Sequence, residues 1–274
     1  MKDLFYILTL LTYLISWVGF GFYFKTLKKE ALRLSQIVLF SGFLFHTLFW
    51  IIKGWEFWHT QLLSFKDILN FFSWELVAIY FIFTLSPIKA YTVGFFCVPV
   101  ILFLLGCSYF FPVKIISPFT QYFKSFWFPI HVFSSLFSHG FLIFGVIISI
   151  MYILQEREIK KKRLGVFFKK LPPLNYLDKL IEECLYLGFI LLTIGMISGV
   201  MWSEIAFGEF WRWSPKEVIT LILWLIYAML IHQRILIGWR GKKAAYMFIV
   251  GFGIWFISIF VINLMVGGFH TYGS

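Results

Sequence analysis

Charge is what this chain has least of. Only 14% of its 274 residues are Asp, Glu, Lys or Arg, where soluble proteins average about 25%, so no sizeable solvated domain fits within it. Acidic residues are the scarcer half, 13 against 24 Lys and Arg, for a net charge of +11. Cysteine is nearly absent. Cys97, Cys107 and Cys184 form no Cys-x-x-Cys, which argues against a thiol-disulfide oxidoreductase and a thiolate-bound metal cluster. The chain also lacks a Gly-x-x-x-x-Gly-Lys phosphate loop, a His-Glu-x-x-His zinc helix, a nucleophile elbow and any internal repeat. Nucleotide hydrolysis, zinc proteolysis and serine-based acyl transfer therefore lose their usual carriers.

What fills the chain is apolar: 61% hydrophobic and 23% aromatic residues, with a mean hydropathy of +0.87. A span of about 30 Å of hydrocarbon needs about 20 such residues in helical form. Runs of that length fall at residues 4–24, 35–53, 71–88, 91–111, 127–153, 181–202, 217–238 and 245–267. The expected fold is all-α, a polytopic membrane bundle of eight transmembrane helices forming one domain over 1–274. Without period-2 alternation a barrel is excluded, because backbone groups in lipid must be bonded within each segment. The first run lacks the strong basic start and small-residue cleavage site of a signal peptide.

Cations alternate with the spans. Lys25, Lys28, Lys29, Arg33 and Lys89, the run from Arg157 to Lys179, and Arg234, Arg240, Lys242 and Lys243 all fall on one side. By the positive-inside rule that side is cytoplasmic, which places both termini outside. The basic stretch 154–180, with Pro172-Pro173, reads as a cytoplasmic linker near anionic lipid rather than a nucleic-acid site.

The densest chemistry lies in an outer strip over 203–218, centred on Phe207-Gly208-Glu209-Phe210-Trp211-Arg212-Trp213-Ser214-Pro215-Lys216-Glu217. Tryptophans at a membrane boundary often serve only as anchors. Here they alternate with cations, and Ser214-Pro215-Lys216-Glu217 forms a Ser-x-x-Glu capping box with proline at the first helical position. The free N–H groups of that helix start, with Arg212 and Lys216, favour an anion beside flat rings. Haem has those properties: a stacking macrocycle, two propionates, and an iron seeking axial histidines.

Six histidines sort by depth. His131, in Trp127-Phe128-Pro129-Ile130-His131-Val132, and His270, in Gly267-Gly268-Phe269-His270-Thr271-Tyr272, belong to the outer face with the strip. His232 lies roughly 24 Å inward of Lys216 at about 1.5 Å per residue, and Trp224, Ala228 and His232 follow at i, i+4 and i+8. His46 and His139 sit mid-span, where a histidine is rare enough to suggest function, though an interhelical hydrogen bond explains it equally. His59 falls in an outer loop.

Gly208-x-x-Trp211-x-Trp213-Ser214-Pro215-Lys216-Glu217, then Leu221-Ile222-x-Trp224-Leu225-Ile226-Tyr227-Ala228 and His232-x-Arg234, resembles the tryptophan-rich haem-handling motif of the cytochrome c assembly superfamily. Within it the chain looks most like the CcsA/ResC family of the system II pathway. The likeness extends to Trp127 through Val132 and to Phe269-His270-x-Tyr272, and more loosely to His59 through Trp74. It departs where Phe207 and Ser214 replace the family's usual tryptophan and aspartate; Ile219 and Gln61 also depart from the pattern.

The resemblance implies that haem b is carried across the membrane and presented to apocytochrome c, in a bacterial cytoplasmic membrane rather than a thylakoid. It implies His131 and His270 as outer axial ligands and His232 as an inner one, with a CcsB/ResB-like partner completing the inner pair and His46 as a further candidate. Trp211, Trp213, Phe207, Phe210 and Trp224 would contact the macrocycle, and Arg212 and Lys216 its propionates. The chain would act within a cytochrome c synthase complex with no acid-base residue of its own. Two rivals are a CcmC-like subunit of an ABC-type pathway, with about six spans, and a dihaem cytochrome b passing electrons to quinone.

Overall fold

The computed structural model describes residues 2–60, 64–85, 91–110, 125–162 and 170–257. Among these residues every regular element is an α-helix. They are α1 (Lys2–Thr26), α2 (Lys29–Thr60), α3 (Phe65–Leu85), α4 (Val93–Phe110), α5 (Trp127–Lys160), α6 (Leu174–Phe207), α7 (Pro215–Leu236) and α8 (Lys242–Ile257). Seven of the eight, α1 to α7, are long and apolar enough to cross a membrane. The described part of α8 has 16 residues, and the rest of the eighth expected span lies outside the described residues. A polytopic helical bundle is therefore the fold.

Several helices run beyond the apolar cores read from hydropathy, and at α3 a polar cap sets the start. At the head of α3, Ser64 N donates to Asp67 Oδ2 at 2.9 Å, Ser64 Oγ donates to the same oxygen at 2.7 Å, and Asp67 N returns a bond to Ser64 Oγ at 3.3 Å. This reciprocal box starts the helix at Phe65, ahead of its apolar stretch. Lys53 adds an ion pair to Asp67 at 3.4 Å. The basic stretch 154–180 is helical at both ends, through Lys160 and from Leu174.

Two compact units form. One comprises Met1–Pro118 with Leu164–Pro172, the other Phe119–Arg163 with Pro173–Ser274. The first contains α1 to α4, and its interior is crossed by polar bonds between helices. Ser16 Oγ donates to Ser35 O at 2.9 Å, Tyr6 OH to Leu105 O at 2.7 Å, and Trp74 Nε1 to Thr47 Oγ1 at 2.9 Å. In an apolar bundle such bonds, rather than a hydrophobic force between helices, set which faces meet.

The second unit contains α5 to α8 and is organised around α5 against α6. Gly188 and Gly195 of α6 are buried. Without side chains there, the two backbones approach closely enough for Ser138 Oγ to donate to Gly188 O at 2.8 Å. α7 and α8 pack alongside, with Tyr227 of α7 fully buried against Phe248 of α8 at a ring separation of 5.4 Å.

Candidate functional site

The close α5–α6 contact fixes the first candidate ligand. His131 Nδ1 lies 2.8 Å from Gly195 O, and a carbonyl only accepts, so Nδ1 carries the hydrogen. In the neutral ring that leaves Nε2 with its lone pair, the state a metal-ligating imidazole needs. The ring stacks on Trp202 of α6 at 6.1 Å with planes 10° apart. Its other neighbour is Gly199, where an added Cβ would lie 2.6 Å from Nδ1 and 2.8 Å from Cε1. Any side chain there displaces the ring. Gly199→Ala is expected to cost about 1–3 kcal/mol by overpacking, read as a lower thermal midpoint in detergent; an unchanged midpoint would mean the ring is not held there.

Around Trp202 an aromatic wall assembles. Phe128 meets it at 5.4 Å and Phe207, the last residue of α6, meets it edge-on at 5.6 Å. The Arg212 guanidinium then covers the Phe207 ring at 3.8 Å. Cation, Phe207, Trp202 and His131 thus form one continuous contact series. Phe207, standing where the family has tryptophan, keeps the stacking role that its ring allows. Trp202 was missed by sequence reasoning; its only signal was a tryptophan six residues before Gly208, indistinguishable from a boundary anchor.

The strip is shorter as a loop than as a motif. α6 stops at Gly208, whose left-handed φ of 74° suits glycine and whose N–H bonds Glu204 O at 2.8 Å. α7 starts at Pro215 with the capping box of Ser214 and Glu217 formed in both directions. Between them Trp213 takes a φ of 56°, uncommon for a residue with a side chain. Trp211 meets Trp213 edge-on at 6.0 Å. Trp213 is 71% exposed and Phe210 55%, while Trp211, Arg212 and Lys216 are half-buried. Trp211 Nε1 and Arg212 Nε are buried donors with no acceptor among the described residues, as a site awaiting an acceptor-bearing ligand would have.

His232 behaves differently. It is an exposed residue of α7, on the face that also exposes Leu225, Met229 and Leu236. The row from Trp224 through Ala228 winds outward to it: Trp224 is pinned to α6 by a 2.9 Å bond from Nε1 to Thr193 Oγ1. Two residues on, Arg234 turns inward and is 4% exposed. Its Nη1 and Nη2 donate to Asp178 Oδ1 and Oδ2 at 3.2 and 2.7 Å, and its Nε to Glu182 Oε1 at 3.1 Å. Gly241 N also donates to Asp178 Oδ1, at 2.7 Å. This node ties α6, the end of α7 and the α7–α8 turn together, so Arg234 is neutralised rather than free for an anionic ligand.

The remaining histidines separate. In the first unit His46 is 1% exposed, with Nε2 3.0 Å from Asn70 Oδ1 and Nδ1 3.1 Å from Tyr13 OH. Both nitrogens are engaged, and an iron would have to displace one of those bonds. His139 of α5 bonds Ser135 O through Nδ1 and stacks on Trp255 of α8 at 4.8 Å. His270 lies outside the described residues.

The family model described as cytochrome C assembly protein matches residues 62–270, which take in α3 through α8, the strip, His131, His232 and His270. The chain is 30% identical over 260 residues to the cytochrome c biogenesis protein CcsA of Mesostigma viride, covering 86% of this chain and 84% of that one. It is 31% identical over 296 residues to the CcsA of Guillardia theta, covering 97% and 94%. With the CcsA of Prochlorococcus marinus (strain NATL1A) it shares 29% over 267 residues, 87% and 84% of the two chains. With a likeness that runs nearly the full length of a bundle of apolar helices, this chain belongs to the cytochrome c assembly protein family, in its CcsA branch.

Proposed function

We propose that the chain receives haem b near His232, carries it across the membrane and presents it on the strip for attachment to apocytochrome c. A haem-handling role in cytochrome c biogenesis follows from the family; the route and the residues are our own reading. The observation that carries it is His131, with Nδ1 committed to Gly195 O and Nε2 left as a ligand atom. His131 is one outer axial ligand and His270 the other. Trp202, Phe207, Trp211, Trp213 and Phe210 contact the macrocycle, and the donors of Arg212 and Lys216 receive its propionates. No side chain has to act as acid or base, since the reacting thiols belong to the apocytochrome and the rate gain comes from positioning.

At the other end, the exposure of His232 among Leu225 and Met229 supports a ligand completed from outside this chain. A CcsB/ResB-like membrane partner would supply the second axial group, and Trp224 would flank the inner haem. His46 serves packing of the first unit in this reading. The sidedness read from the cations makes the strip outer and the Arg234 end cytoplasmic, in a bacterial cytoplasmic membrane. The presence of α1 and α2 as apolar helices ahead of the family-matched region favours this over a CcmC-like subunit with about six spans.

The test is the absorption spectrum of the chain purified with its partner from haem-replete cells, with and without His232→Ala. The variant is expected to lose the inner haem and, because haem reaches the strip from there, to fill the outer site only when haem is added to the purified protein. Full retention of haem in the variant would exclude His232 as a ligand.

A further inference from the structure

Trp213 needs a holder. Its φ of 56° is a strained, left-handed conformation for a residue with a Cβ, and 71% exposure offers little packing in return. Two backbone N–H groups flank it, at Arg212 and Ser214. Both donate to a single oxygen: Arg212 N reaches Glu217 Oε2 at 3.1 Å and Ser214 N reaches the same atom at 2.9 Å. The second of these is the ordinary return bond of a capping box. The first is additional, and spans the residue whose backbone is strained.

We infer that Glu217 is a positioning residue for the outer aromatic surface: its Oε2 closes the Arg212–Ser214 backbone into a tight loop that forces Trp213 outward and edge-on to Trp211. The same oxygen orients Arg212 from its backbone, and the Arg212 guanidinium covers Phe207 at 3.8 Å. One carboxylate oxygen thereby sets three members of the surface, Trp211, Trp213 and Arg212. Ser214 caps the helix through Oγ, with Glu217 N donating to it at 3.4 Å, and the carboxylate organising the preceding backbone comes from one helical turn later.

The inference rests on the haem reading for its consequence, and on hydrogen-bond geometry for its cause, so the two are tested separately. Because one oxygen accepts both bonds, Glu217→Gln retains an acceptor that reproduces them, whereas Glu217→Ala removes it. The full chain would be purified with its membrane partner in the wild type and both variants. The first measurement is trypsin cleavage after Arg212, followed by mass spectrometry, which reads the loop whether or not haem is present. The second is outer-site haem affinity and Soret position in a His232→Ala background titrated with added haem.

In Glu217→Ala, cleavage after Arg212 is expected to accelerate and outer haem affinity to fall by about 5–30-fold, the factor corresponding to one or two lost net hydrogen bonds. Glu217→Gln is expected to restore both. Wild-type cleavage in Glu217→Ala, or damage in Glu217→Gln equal to that in Glu217→Ala, would overturn the inference. Absence of haem from the wild-type strip would instead overturn the haem reading, while the cleavage measurement still decides the role of Glu217.

Discussion

His131→Ala is expected to empty the outer haem site while leaving the protein inserted in the membrane. The ring is held by a 2.8 Å bond to Gly195 O and a parallel stack on Trp202 at 6.1 Å, so its Nε2 is presented with little freedom to adjust. Changes to groups that merely orient a metal ligand cost about 10–100-fold in affinity, and removal of the ligand itself is expected to cost at least that. The measurement is outer-site haem per chain in a His232→Ala background titrated with added haem, with exogenous imidazole added to fill the vacated position. Recovery of the spectrum with imidazole would identify a lost ligand rather than a damaged fold. Full occupancy without imidazole would remove His131 from the site.

Arg234→Ala is expected to give the largest loss of stability. The guanidinium is nearly inaccessible and saturated by Asp178 and Glu182 on α6, and its removal leaves two carboxylates with no cation between them. Breaking a buried ion pair from one side costs about 3–5 kcal/mol, because the remaining charge is buried and uncompensated. Asp178 is 13% exposed and Glu182 32%, so water relieves part of this and the lower end of the range is expected. Arg234→Lys should recover only a fraction, since an ammonium cannot reproduce the bidentate fork on Asp178. The thermal midpoint of the solubilised protein reads both. A midpoint within experimental error of wild type for Arg234→Ala would show the node to be dispensable. Loss of inner haem in Arg234→Lys, with the fold retained, would further link the node to the register of His232.

Much of the architecture was legible before the tertiary structure. The apolar runs located the helices, and Ser214-Pro215-Lys216-Glu217 located the start of α7 with its box intact. Helix ends were less so: Ser64 and Asp67 form the same kind of box at α3, but with aspartate in place of the more familiar glutamate, and the hydropathy core begins later. For the site, the motif identified Trp211, Trp213, Arg212 and Lys216 but gave no orientation. The six histidines could be sorted by depth and no further. His46, mid-span, stayed a further candidate behind His131, with nothing local to say whether its ring was already bonded.

The sequence by itself determined that the chain is a helical membrane bundle and where its tryptophan-rich strip meets the start of α7, because hydropathy, caps and helical period are properties of neighbours along the chain. Only the tertiary structure decided which nitrogens are spoken for. His131 keeps Nε2 because a glycine carbonyl 64 residues away takes Nδ1, whereas His46 has both nitrogens bonded by residues of two other helices. Arg234, one of the cations that set the expected orientation, is neutralised by carboxylates from α6. Trp202 joins the site because α5 and α6 approach where glycine leaves room. In each case a donor or ring is assigned by a partner on another helix, and no local pattern encodes which faces of two helices will meet.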